Sequence, residues 1–249
     1  KPMRYIVLAQ NNDELRPTGG FISAVGVLTV DKGKIVDLDF KDSYSVDNWE
    51  RDHPQPPEPL LRYMDAQLWV FRDANFWPDF PTSAKAIEYF AALDLDLQPD
   101  GVIAVDQLAL QILVGGLGSV VVSGYENDVL TRENTIATIR AYWQPPPGLP
   151  DEWSKWLPWF GQRKEFMSRL VDAMRAKLET DTHSINLAQF GKAVLQALDE
   201  KHILIYLRQP LGSGLTDVGA WGGAIPPTRS DYLFVVDTNM CFNKANGII

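Results

Sequence analysis

Cysteine and histidine are both scarce in this sequence. The single cysteine, Cys241, allows no internal disulfide and no cysteine metal cluster. Three histidines, His53, His183 and His202, stand far apart, and none lies beside a candidate nucleophile. Neither a histidine metal site nor a Ser-His-Asp triad is therefore indicated, and His202 reads as a structural residue opening a strand. Positive charge is also short: 23 Lys and Arg face 32 Asp and Glu, a net charge of -9. No basic footprint for nucleic acid exists, although local cationic pockets remain open. There is no Walker loop, no GxGxxG after a strand, no GxSxG elbow and no HExxH.

A long uninterrupted apolar run is missing as well. The nearest approach, residues 101–125, is broken by Asp106, Gln107, Gln111 and several glycines, whereas a spanning helix needs about 20 mostly apolar residues. Its β-branched ends around a helix-like middle predict a buried strand–helix–strand unit. What the chain does have is ordinary for a folded protein: 249 residues, 45% of them apolar and 22% charged. This length is enough to bury a sizeable core. The chain enters an apolar run directly after Lys1-Pro2-Met3-Arg4 and closes on a strand-like segment, so it reads as a piece of a longer protein.

The pattern along the chain alternates strands and helices. Tyr5 to Ala9 is a continuous apolar run, Phe21 to Val30 a second strand, and Asp31-Lys32-Gly33-Lys34 a hairpin turn into a third, Ile35 to Phe40. In that third strand Val36, Leu38 and Phe40 alternate with Asp37, Asp39 and Lys41, which predicts one buried face. Helices are predicted from about Pro81 to Leu93, from a Thr131 cap to about Tyr142, over 162–178, and from an Asn186/Gln189 capping box through Leu198. Strands follow at 202–207 and 232–236. The fold class is α/β: a single domain, residues 1–249, with a central mixed β-sheet flanked by helices.

Four constellations carry chemical interest. Asn11-Asn12 with Arg16-Pro17-Thr18-Gly19-Gly20 joins two core strands; the paired glycines permit close backbone approach or positive φ, and Arg16 can grip a phosphate or bind a structural carboxylate. Lys41-Asp42 ends the third strand. Arg72-Asp73-Ala74-Asn75, with Asp79, enters a helix. Arg163-Lys164 opens the long helix, where free amides and the macrodipole favour an anion. Cations would balance a pyrophosphate, and a carboxylate could bind a metal or accept a proton. Trp153, Trp156 and Trp159 form a further cluster, able to stack on sugars, line a lipid groove or simply cover a core edge.

The segments QNNDELRPTGGF, FRDANFWPDFPTSA, DGVIAVDQLAL and SDYLFVVDTNMCFNKANG resemble, in order, the bacterial extracytoplasmic family known as domain of unknown function 4012. That family is distantly similar to the LytR-CpsA-Psr enzymes, which move glycopolymers from a polyprenyl pyrophosphate carrier to peptidoglycan with magnesium. The resemblance implies a LytR-CpsA-Psr-like α/β fold, an extracytoplasmic location with a membrane anchor outside this sequence, and a cell-envelope phosphotransferase-like role. By that likeness Arg72, Asp42 and Asp73 are candidate catalytic residues. Arg16, Lys41, Asn75, Arg163, Lys164, Gly19 and Gly20 would bind substrate, and Asp13 and Asp42 would hold Mg2+. Thr18 occupies the position of one family aspartate, and Asn11 and Asn12 the region of another. The partner would be a lipid-linked glycan, a polyprenyl phosphate or a cell-wall polymer. The alternative is a non-catalytic domain that binds a glycan or lipid phosphate, or a structural cell-surface domain.

Overall fold

A computed structural model describes residues 1–144, 148, 157–181, 183–208 and 221–240, and the side chains of 157–164 fall outside that description. The chain divides into two compact units, residues 1–107 with 199–249, and residues 108–198.

The first unit is built on a five-stranded mixed sheet. Its strands are β1 (Met3–Asn11), β2 (Phe21–Asp31), β3 (Lys34–Asp42), β4 (Gly101–Asp106) and β7 (Ile203–Leu207), in the order β3-β2-β1-β4-β7. β1 pairs antiparallel with β2 and parallel with β4, placing Ile6 opposite both Val27 and Val102, and Leu8 opposite both Val25 and Ala104. Side chains alternate across a strand, so these residues share one face. That face packs on α2 (Phe80–Leu95). Ala84, Ile87, Phe90 and Ala91 recur at helical spacing along α2 and are fully buried there. Asp79 caps α2 by accepting from the Thr82 amide, Pro81 occupies its first turn, and Asp96 ends it in the left-handed region at φ 50°. A short helix, α1 (Glu58–Met64), and 3-10 turns at Ser43–Ser45 and Phe71–Asp73 complete the unit.

The second unit holds α3, which runs on from β4 (Gln107–Leu117), then β5 (Val120–Val121), β6 (Val129–Leu130), α4 (Thr135–Trp143), α5 (Leu157–Thr180) and α6 (Leu187–Asp199). Its core gathers Leu117, Val122, Leu130, Ile139, Phe166 and Leu170. Asn186 caps α6 through its side-chain oxygen and the Gln189 amide, 3.1 Å apart, as the capping pattern predicts.

Three expectations need correction. β3 buries neither face: Ile35 and Val36 stay exposed and Leu38 and Phe40 are only half-covered, because the core packed on α2 takes in residues of β1, β2, β4 and β7 but none of β3. Residues 232–236 form no strand; Tyr232, Leu233, Phe234 and Val235 are exposed. The fourth helix starts at Thr135 rather than after Thr131, since the Asn134 side chain accepts from the Thr131 amide and closes a turn ahead of the helix. The strand–helix–strand reading holds for β4–α3–β5, but β5 pairs with β6 in a separate ribbon. Among the described residues, no helix is long and apolar enough to cross a membrane. The positions of Trp153 and Trp156, and the side chain of Trp159, lie outside the described residues.

Candidate functional site

The parallel pair β1/β4 sets the place. In α/β sheets, ligands collect beyond the carboxyl ends of parallel strands, where loops diverge and helix amides point outward. Here β1 ends at Gln10 and Asn11, and β4 at Asp106, directly before α3.

The β1–β2 loop folds back onto this edge. Its turns are closed by Glu14 N donating to the Asn11 carbonyl at 3.2 Å, Gly19 N to Arg16 at 2.9 Å and Phe21 N to Glu14 at 2.8 Å. Gly19 adopts φ 126°, in the region that favours glycine. A Cβ on Gly20 would sit 2.3 Å from the Asn11 carbonyl oxygen. The close approach anticipated for this glycine is thus to the chain's own β1 end. Asn75 reaches across from the Phe71–Asp73 turn and donates to Thr18 Oγ1 at 2.9 Å and to the Gly20 carbonyl at 2.8 Å. Gln10 Nε2 donates to the same Thr18 oxygen at 2.6 Å.

Arg16 lies inside this loop rather than on it, with its side chain 1% exposed. It forms an ion pair with Glu14 at 3.1 Å, lies 3.8 Å from Asp73, and donates to the carbonyls of Leu15 and Asn239. Burial pushes the Asp73 carboxyl above the usual carboxylate range, while Arg16 and Arg72 pull in the opposite direction. Arg16 Nε, Asp73 Oδ1, Asn75 Oδ1 and Asn11 Nδ2 are buried without a hydrogen-bond partner. Arg72 is more open, with 22% of its side chain exposed. It donates to Asp47 at 3.2 Å and stacks over the exposed Tyr44 ring at 4.6 Å. Tyr44 in turn lies 6.2 Å from Phe21, over which the Arg16 guanidinium also sits.

The structure therefore gathers Arg16, Gly19, Gly20, Arg72, Asp73 and Asn75 into one region. Lys41 does not join them: it faces the other way and lines a groove with Arg4, Asp39, Val27 and Leu97. Asp42 accepts from the Tyr44 amide at 2.9 Å and caps the turn that carries this ring. Asp13 is buried. Asp79 is spent on the α2 cap and on the Ile225 amide. Arg163 and Lys164 belong to α5, and their side chains lie outside the described residues. The residues proposed for Mg2+, Asp13 and Asp42, fall in no set of three metal-ligating groups among the described residues.

Sequence reasoning missed one pairing on the same edge. Asp106 Oδ2 accepts from the Asn12 side-chain amide, and His202 Nδ1 stands against the same oxygen. Asn12 Oδ1 accepts from the Gln107 amide at 3.0 Å, holding the first residue of α3 to the loop. Only the register of β4 against β7 brings His202 to Asp106.

The family model described as Protein of unknown function (DUF4012) matches residues 1–142. The chain belongs to this family. Among solved structures, protein gbs0355 from Streptococcus agalactiae is 10% identical, covering 86% of this chain and 70% of its own, with a TM-score of 0.51. Lin1025 from Listeria innocua is 11% identical over 82% of this chain and 71% of its own, TM-score 0.47. TagV from B. subtilis is 14% identical over 82% and 74%, TM-score 0.46. No curated protein matches the chain in sequence. The likeness to gbs0355 is one of fold: an α/β domain with a mixed sheet flanked by helices.

Proposed function

We infer that this family member is a cell-envelope domain that binds the phosphate-linked head of a lipid-carried glycan at the loops beyond β1 and β4. One observation carries the reading: the partly exposed Arg72 guanidinium lies over the exposed Tyr44 ring, beside a polar cluster built from two distant loops. A guanidinium supplies paired donors to a phosphate, and an aromatic face beside it stacks on a sugar. Arg16 acts from beneath as a positioning residue, since Glu14, Asp73 and two carbonyls already engage it. Asn75 fixes the β1–β2 loop against the turn that carries Arg72.

Binding rather than transfer is the favoured form. The cations in the cluster, Arg16 and Arg72, are each balanced by a carboxylate, and Asp73 is turned inward toward Arg16. Transfer would need Asp73 or Asp42 to take a proton from an attacking hydroxyl, and Asp42 is engaged in its cap. The test is binding of fluorescent polyprenyl diphosphate to the full chain, with and without magnesium. Tyr44→Ala and Arg72→Gln are expected to weaken binding about 10-fold, the effect of losing about one charge-assisted contact. Equal affinity in the wild type and both variants overturns the reading. Glycan transfer by the wild type that is lost in Asp73→Asn would replace binding with catalysis.

A further inference from the structure

Asp47, His53 and Asp94 each offer one ligand atom within 4.8 Å of the others. Asp47 follows the Ser43–Ser45 turn, His53 lies in the proline-rich stretch after it, and Asp94 belongs to the last turn of α2. Their side chains are 0%, 1% and 0% exposed. His53 Nδ1 lies 3.1 Å from the Arg51 carbonyl, an acceptor only, so Nδ1 carries the proton there and Nε2 is turned inward. A backbone carbonyl holding one ring nitrogen while the other faces a cluster is the usual arrangement of a metal-bound histidine. Trp49 and Phe90 flank the ring at 5.4 and 6.3 Å and fix its plane.

A salt bridge alone does not account for this geometry. His53 Nε2 lies 3.1 Å from Asp94 Oδ1, yet the two are not aligned for a hydrogen bond. Both Nε2 and Asp94 Oδ2 are buried with no partner. The separation fits neighbouring ligands on one ion: bonds of about 2.1 Å at the tetrahedral angle put donor atoms about 3.4 Å apart. The charges agree. Asp47 and Asp94 face each other with Arg72 on Asp47, and backbone amides of Phe71 and Asn48 donate to the carboxylates. Two buried carboxylates against one guanidinium leave an uncompensated negative charge, which is costly away from water.

We propose that Asp47, His53 and Asp94 form a buried site for a first-row divalent transition metal of the zinc type. An imidazole among carboxylates selects this class over magnesium or calcium, which prefer all-oxygen shells. Asp94 Oδ2 is free to take a further coordination position. With no ligand side chain open to solvent, the site is closed and structural. It fastens residues 43–57 to the end of α2 beneath Arg72.

The test uses the full chain, stripped with a chelator and then titrated with zinc alone, without any carrier lipid, so its outcome is independent of the function inferred above. One equivalent of zinc is expected, with a rise in melting temperature. His53→Gln and Asp94→Asn should each weaken uptake about 100-fold, whereas the exposed neighbour Asp52→Asn should not. A wild type that takes up no zinc, or variants that take it up equally well, overturns the proposal. Should His53→Gln fail to fold, X-ray absorption of the zinc-loaded wild type decides: an imidazole in the shell supports the site, and a shell without one overturns it.

Discussion

His202 Nδ1 lies 2.8 Å from Asp106 Oδ2, joining the start of β7 to the end of β4, and the same oxygen accepts from Asn12 at 2.9 Å. One carboxylate thus ties two strand ends and the β1–β2 loop together. Asp106→Ala removes both partners at once and leaves the Asn12 amide without this acceptor. The expected loss is about 2 kcal/mol of folding stability, read by urea denaturation. His202→Ala, whose side chain is 21% exposed, should cost less. A larger loss for His202→Ala would show that the Asn12 contact contributes little.

Asp73 sets a pH dependence whose sign follows from burial. Its folded carboxyl titrates above the unfolded value of 3.8. In the interval between the two values the folded chain holds the proton that the unfolded chain has released. Its contribution is therefore complete below 3.8 and is lost as pH rises through the raised folded value. Asp73→Asn keeps the shape without the titration. The urea midpoint of Asp73→Asn relative to the wild type should accordingly rise from pH 4 to pH 7, and a constant difference would refute this.

Gly20 is constrained by the backbone of the β1 end. The side chain of Gly20→Ala would enter 2.3 Å from the Asn11 carbonyl oxygen and 2.8 Å from the Asn12 nitrogen, neither of which can swing aside as a flexible side chain does. The cost should be about 3 kcal/mol, with the β1–β2 loop the first region to lose hydrogen-exchange protection. Retained stability would mean that the loop has room to relax.

The C-terminus of α1 offers a gain instead. Asp65 caps it at φ 51° and ψ 31°, a left-handed conformation that costs a side chain about 1 kcal/mol and glycine almost nothing. Asp65→Gly should raise stability by about 0.5 kcal/mol once the greater freedom of the unfolded glycine is offset. A fall would show that the Gln67 contact to the Asp65 carboxylate matters more.

Periodicity made most elements legible. The apolar β1, the hairpin at Lys32-Gly33, the stripe of α2 and the cap of α6 all follow from local pattern. Burial of β3 did not, because alternation reports which residues share a face and not whether anything covers that face. Residues 232–236 have strand composition, yet pairing depends on a neighbour that composition does not name. In the site, Arg16 and the paired glycines were visible as a loop signature, and Asn75 as part of a motif. That Arg16 would be enclosed by Glu14 and Asp73 was not visible, since ion-pair choice is settled by tertiary approach. His53 and His202 looked isolated for the same reason: their acidic partners arrive from α2 and β4.

The outer rim of β3 has a consequence for assembly. Beyond β2, β3 has no strand neighbour among the described residues, and such an edge with exposed Ile35 and Val36 is a template for a second chain. Laid antiparallel on itself about Leu38, however, it would set Asp37 of each copy opposite Asp39 of the other, like charges in direct apposition. The two aspartates act as guards against self-association along this border, and replacing both with valine would turn a solvent-facing margin into a seed for aggregation.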